Sequence, residues 1–188
     1  MPAKTAKAIP TIIDGQRVYL RPLARSDATV MIGLTNESAR RFPGVIRRLK
    51  GKAQFEKLRK RFEGDDSYCF MICRREDDKI VGSISLFEII RLSRQNGVVG
   101  YMIGVPFLRQ GYATEALRLI LSFAFLKLKL HRIEANIQSH NLASLATVKR
   151  AGFTCEGNSR GFLKISGKWR DHERWAILTE DWRVYRRK

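Results

Sequence analysis

Cysteine is scarce in this chain, and its three copies are badly placed for cross-links or metals. Cys69, Cys73 and Cys155 are odd in number and show no CxxC spacing. That argues against a disulfide framework and against a thiolate zinc site, and it fits a reduced, cytoplasmic setting. Cys69 and Cys73 fall in an apolar run, which assigns them to a core strand. Cys155 is read as structural rather than as a nucleophile. Long apolar runs are missing too. The longest, Leu117 to Leu130, is broken by Arg118, Lys127 and Lys129. It falls short of the roughly 18 residues of a membrane span, so no membrane association is expected. Met1 to Ile9 lacks the apolar centre of a secretory signal and carries Lys4 and Lys7. Residues 1–9 are therefore expected to be a flexible tail ahead of one domain over 10–185.

Acidic residues are the other shortage. There are 18 Asp and Glu against 36 Lys and Arg, a net charge of +18 over 188 residues. Much of the excess is local. From Arg40 to Arg61 stand ten basic residues (Arg40, Arg41, Arg47, Arg48, Lys50, Lys52, Lys57, Arg59, Lys60, Arg61) and one acid, Glu56. Such a field attracts nucleic acid, a ribosome or an acidic protein. The plain alternative is a solvated helix face, and both readings stand.

What is present points to one α/β domain. Asp14-Gly15 marks a turn before Val18-Tyr19-Leu20, and Ser26-Asp27 offers an N-cap for a helix through Leu34. Phe55, Leu58 and Phe62 are spaced for a second helix. Tyr68 to Cys73 and Ile80 to Phe87 read as strands. Asn96-Gly97 reads as a turn into a strand over Val98 to Val105. Thr114 to Leu130 predicts a long helix, Arg132 to Gln138 a strand, and Leu142 to Ala151 a helix ended by Gly152. Phe153 to Ile165 and Asp171 to Thr179 form a closing hairpin with a turn at Ser166-Gly167. The sum is a mixed, mostly antiparallel sheet of about seven strands flanked by about four helices.

The segment Tyr101 to Leu117 carries the most chemistry. It reads as a strand, a short polar turn containing Gly111, and the start of an apolar helix. The first N–H groups of a helix have no intrahelical acceptor and sit at the positive end of its dipole. A phosphate can dock there, and glycine lets the backbone approach it.

Several blocks, in order, resemble the GNAT superfamily of acetyl-CoA-dependent N-acetyltransferases, and most of all its RimJ/RimL-like branch. They are Val18 to Leu23, Val81 to Leu86, the segment just described, His131 to Asn136, Asn141 to Ser144, Ala151 to Gly157, and Gly167 to His172. The resemblance implies a GNAT-like fold and acetyl-CoA as cosubstrate, with no metal. It implies that Gln110, Gly111, Tyr112, Ala113 and Thr114 cradle the CoA pyrophosphate, with Arg109 pairing a phosphate. Ile103, Gly104 and Val105 would pair with the pantetheine arm by strand addition. Asn141 would hydrogen-bond the pantetheine, and Ser144 would stand near the CoA sulfur. The helix N-cap remains the competing role for Asn141. Three positions depart from the family. Leu108 stands where a Gln or Arg is common, Val148 where many members have a tyrosine, and Gly161 where RimL-like enzymes have a glutamate.

The resemblance also implies direct attack of an amine on the thioester in a ternary complex. The base stays open among Glu88, His172 and a water chain, with Ser144 as proton donor to the thiolate. An α-amino group titrates near 8, so it needs little help from a base. A protein N-terminus, ribosomal in the namesakes, is the leading acceptor, with docking at a ribosome through the basic surface. A small-molecule amine and a catalytically silent ribosome- or nucleic-acid-binding module are the alternatives. Monomer and homodimer are both compatible.

Overall fold

The computed structural model describes residues 12–186. The expected tail over 1–9 lies outside the described residues.

Among the described residues, eight strands form one sheet: β1 (Ile13–Asp14), β2 (Val18–Pro22), β3 (Tyr68–Arg74), β4 (Ile80–Ile90), β5 (Asn96–Ile103), β6 (Arg132–Ile137), β7 (Thr154–Ile165) and β8 (Lys168–Leu178). Their spatial order is β1-β2-β3-β4-β5-β6-β8-β7. Among the described residues only β5 and β6 run parallel; every other pair is antiparallel. Among the described residues, five α-helices accompany the sheet: α1 (Ala28–Arg41), α2 (Lys52–Lys60), α3 (Tyr112–Ser122), α4 (Leu142–Arg150) and α5 (Thr179–Tyr185).

Each face has its own core. β3 is the apolar run Tyr68–Arg74, buried along all but its last residue, because helices cover both its faces. On one face Phe70, Ile72, Ile84, Leu86 and Val99 pack against Leu117, Ile120 and Leu121 of α3 and Val148 of α4. On the other, Met71 and Cys73 pack against Ala28 and Met31 of α1 and Phe55 of α2. Cys69 and Cys73 are core residues, and burial pushes the Cys69 thiol up to about 11. Cys155 is exposed on β7 instead. As an edge strand, β7 has little core to join. Two irregular steps, at Gly157 and at Gly161, bend it, and Arg160 and Lys164 charge it.

Several elements differ from the sequence reading. α1 runs on to Arg41, because Asn36 directs its side chain to the loop at Leu49 and leaves the helix backbone intact. Asp27 does not cap α1. Its carboxylate accepts from the Ala24 N–H at 2.8 Å and from Arg21 at 2.7 and 2.9 Å. Asn96-Gly97 opens β5 rather than turning, with Asn96 buried and its Nδ2 3.4 Å from Glu134. α3 ends at Ser122 and continues as a wider π turn, Phe123–Lys127, which sets Phe123 edge-on to Tyr68 and Phe70. α5 was not foreseen. It is anchored by Trp182 against Phe125 and by the Tyr185 hydroxyl donating to the Arg150 carbonyl.

Candidate active site

The sheet opens at its centre. β5 and β6 pair at three levels only, Asn96 with Arg132, Gly97 with Ile133 and Val98 with Glu134. β5 then stays with β4 to Ile103, while β6 stays with β8 to Ile137. A gap therefore widens between β5 and β6 beyond Val98. The Gly104 N–H donates to the Val81 carbonyl at 2.8 Å. Antiparallel hydrogen bonding alternates residue by residue, so Met102 and Gly100 also turn their backbone groups to β4. Tyr101 and Ile103 must then turn theirs into the gap, where no strand meets them. Of the three residues expected to pair with a ligand, Ile103 is free on the gap side. Gly104 is committed to β4, and Val105 begins the turn Val105–Phe107.

That turn leads to the cradle. Gly111 is the residue before α3 and adopts φ +82°, a left-handed conformation suited to glycine. Arg109 also has positive φ, at +60°. Among the described residues, the N–H groups of Gln110, Gly111, Tyr112, Ala113 and Thr114 have no protein acceptor. They form a row of unpaired donors at the positive end of α3, exposed at Gln110 and Gly111. A second cation, unforeseen from sequence, stands over it. Arg17 lies 4.9 Å above the Tyr112 ring, and its Nη1 is 3.4 Å from where a Cβ on Gly111 would be. Glu115 puts Arg17 there: its Oε1 accepts from the Arg17 and Val18 N–H groups at 2.8 and 3.3 Å.

α4 closes the far side of the gap. Asn141 caps it, with Oδ1 accepting from the Ser144 N–H at 3.3 Å, so the capping role is realised and the amide N–H₂ remains for a ligand. Tyr101, also not singled out from the sequence, reaches across and donates its hydroxyl to the Ser144 carbonyl at 3.2 Å. Burial pushes the Tyr101 phenol up despite contacts with Ser144 and Thr147, so it stays protonated. Val148 is fully buried, and no hydroxyl stands at that point of α4.

The three catalytic candidates do not converge. Ser144 borders the gap on the α4 side. Glu88 is exposed in an irregular step of β4 between Phe87, opposite Val98, and Ile90, opposite Asn96, with φ +52°. That is the level of Gly97, inside the stretch where β5 and β6 still pair. His172 is only 3% exposed, with Nδ1 3.0 Å from the Arg170 carbonyl and its ring against Phe162. Three strand spacings, roughly 14 Å, separate β4 from β8, so Glu88 and His172 are not a pair. Asp171 holds the hairpin, accepting from the Gly161 N–H at 2.7 Å. A further carboxylate, Glu134, is buried at the head of the gap. Burial alone would raise it, but hydrogen bonds from Arg132 at 2.9 Å and Arg174 at 2.7 Å hold it below the usual carboxylate range. It is an anchor for the arginines rather than a base.

On the opposite face of β5 lies a groove of about 350 Å³, lined by residues of α1, α2 and the loop between them and floored by Met102 and Ser83. Met102 is the sequence neighbour of Tyr101 and Ile103, so groove and gap meet at one strand. A donor entering through the gap and an acceptor in the groove would be brought together there.

Residues 17–154 match the Acetyltransferase (GNAT) domain. The chain belongs to the GNAT family. A probable N-acetyltransferase of Bacillus subtilis, YjcK, is 38% identical over 90% of this chain and 98% of its own length. The ribosomal protein uS5-alanine N-acetyltransferase of Escherichia coli is 32% identical over 62% of this chain and 60% of its own. Among solved structures, Mycobacterium smegmatis RimJ in complex with CoA-disulfide superposes with a TM-score of 0.80 at 24% identity, covering 87% of this chain and 82% of that one. Vibrio cholerae spermidine N-acetyltransferase, in complex with CoA and spermine, gives 0.77 at 21%, over 89% and 99%. The chain is thus an acetyl-CoA-dependent N-acetyltransferase with the GNAT fold. As in the sequence reading, the sheet is mixed and mostly antiparallel, with eight strands and five helices where about seven and four were expected.

Proposed function

We propose that this GNAT enzyme acetylates the N-terminal α-amine of a protein. The observation that carries the reading is the groove. Arg47, Arg48, Lys57 and Arg61 line it, and among the described residues no carboxylate does. A polyamine would meet four like charges there, whereas one neutral α-amine at the end of a chain would not.

The donor is held by backbone. Gln110 to Thr114 take the pyrophosphate, with Arg109 and Arg17 adding charge. Tyr101 and Ile103 offer strand pairing to the pantetheine, and Asn141 adds its side-chain amide. Acetyl-CoA supplies the activated acyl group. The neutral amine, delivered past Met102, attacks the carbonyl directly, and a backbone N–H facing the gap, that of Ile103 first, receives the developing oxyanion. Glu88, level with Gly97 and roughly 17 Å along the sheet from Met102, takes the amine proton through a chain of waters. The Ser144 hydroxyl donates to the departing thiolate, with Tyr101 fixing the first turn of α4 behind it.

A thiol-release assay with acetyl-CoA against N-terminal peptides and small amines, spermidine included, tests the acceptor class. Turnover of peptides with free α-amines, and its loss when that amine is blocked, is the expected result. Turnover of spermidine without turnover of any peptide would overturn the reading.

A further inference from the structure

The cations of the groove come from two separate segments that are held to face each other. Arg47 and Arg48 lie on the loop between α1 and α2, while Lys57 and Arg61 lie on α2 and just past its end. The loop is clamped at both ends. Leu49 exchanges two hydrogen bonds with the Asn36 side chain, at 2.9 and 3.0 Å, and the Gly44 carbonyl accepts from Gln138 Nε2 at 3.1 Å. The loop thus bridges from α1 to the end of β6, over the open part of the sheet.

Neutralisation is selective. On the same helix Arg59 pairs with Glu56 and Glu63, both at 2.7 Å, and Arg25 reaches Glu56 at 3.2 Å. Among the described residues, Arg47, Arg48, Lys57 and Arg61 have no such partner, and all four are exposed. Like charges gathered in a concave site raise the local potential and draw in the opposite sign. A second observation points the same way. Thr35 lines the groove, is only 6% exposed, and its Oγ1 has no hydrogen-bond partner. A buried hydroxyl left without a partner costs stability unless something arrives to satisfy it.

Resting on the N-terminal reading of the site, we propose that the groove selects an acidic peptide: an N-terminal amine followed within a few residues by aspartate or glutamate. The carboxylates pair with the four cations, and Thr35 Oγ1 donates to one of them or to a peptide carbonyl. The apolar part of the lining, Met31, Leu58 and Met102, suits the side chains between the charges. An extended RNA backbone needs a stripe of exposed cations; here the charges converge on one groove of about 350 Å³, within the roughly 300–1,000 Å³ of ligand clefts.

The test uses two peptides with the same first residue and length, one with glutamates after it and one with lysines. Their kcat/KM is measured in the wild type, in the pairs Arg47→Glu/Arg48→Glu and Lys57→Glu/Arg61→Glu, and in the milder pair Arg47→Gln/Arg61→Gln. Acetyl-CoA affinity, read calorimetrically, monitors folding. The wild type should prefer the acidic peptide by about tenfold, what two or three exposed charge pairs supply together. The preference should fall with added salt, shrink in the Gln pair and reverse in the Glu pairs. Equal turnover of both peptides, unmoved by the substitutions, overturns this proposal and leaves the N-terminal reading standing. Turnover of neither peptide overturns both. If a labelled single-stranded RNA binds through these four residues while the peptides are turned over equally, the groove is an RNA dock and the proposal falls.

Discussion

The Tyr101 hydroxyl donates to the Ser144 carbonyl at 3.2 Å, tying the strand that borders the gap to the first turn of α4. The bond fixes the side chain proposed to protonate the thiolate relative to the backbone proposed to hold the donor. Ser144→Ala should lower kcat by roughly 10- to 100-fold, the low end of a general-acid contribution. Tyr101→Phe removes one hydrogen bond, worth about 1 kcal/mol of stability. Its kcat should fall less than that of Ser144→Ala. Steady-state kinetics and thermal melts on the two variants give the comparison. A Tyr101→Phe enzyme slower than Ser144→Ala would assign the donor role to the tyrosine.

Arg17 and Gly111 test the cradle. Arg17→Ala should raise the KM for acetyl-CoA by roughly tenfold, as one charge-assisted hydrogen bond is lost, with kcat little changed. Gly111→Ala places a Cβ 3.4 Å from Arg17 Nη1 at φ +82°. It should cost about 1–2 kcal/mol of stability from the left-handed backbone and weaken CoA binding as well. Isothermal titration with CoA separates the two effects. Unchanged affinity in both variants would remove the cradle from the donor site.

Much of this cradle could be read in the sequence, because a glycine ahead of an apolar helix encodes backbone donors without help from distant residues. Gly152 after α4 and the Ser166-Gly167 turn were legible for the same reason: each is a local conformational demand. Arg17 was not, since only the packing of the Gly15 turn on Glu115 and Leu119 carries it to α3. The groove was hidden likewise. Arg47, Arg48, Lys57 and Arg61 look like a solvated face until the Asn36 and Gln138 clamps fold the loop of Arg47 and Arg48 back towards α2. Asn96-Gly97 misled because a turn dipeptide can open a strand when neighbours on both sides supply its hydrogen bonds. α5 has seven residues and one buried anchor, too little period to recognise.

Glu88 and His172 should separate cleanly. Glu88→Gln should lower kcat/KM by about 100-fold near neutral pH, where the acceptor amine is mostly protonated. The deficit should narrow as pH rises past about 8 and the amine deprotonates unaided. His172→Ala opens a hole in the hairpin core and should cost about 1–3 kcal/mol of stability. The surviving folded enzyme should keep the wild-type pH profile. A pH profile altered by His172→Ala and untouched by Glu88→Gln would exchange their roles.

Glu134 sets an acid limit on the fold. Its folded carboxyl titrates below the unfolded value of about 4.3, so the stabilisation is present above that pH and is lost as pH falls through the folded value. Thermal melts from pH 7 to 3 should show the midpoint dropping below about pH 4.3 in the wild type. Glu134→Gln leaves Arg132 and Arg174 less compensated, though Arg132 keeps Glu156. With both arginines partly exposed, the cost at pH 7 should be about 1–3 kcal/mol. The acid limb of that variant should be flatter. An acid limb identical to wild type would contradict the assignment.

A crystal structure of the acetyl-CoA complex tests the central claim most directly, that donor and acceptor meet across β5. The account predicts pyrophosphate on the N–H groups of Gln110 to Thr114 beside Arg17, pantetheine paired with Tyr101 and Ile103 in the gap, and the acetyl carbon facing the groove at Met102. A complex in which acetyl-CoA leaves the gap empty, or turns its acetyl group away from the groove, would contradict it.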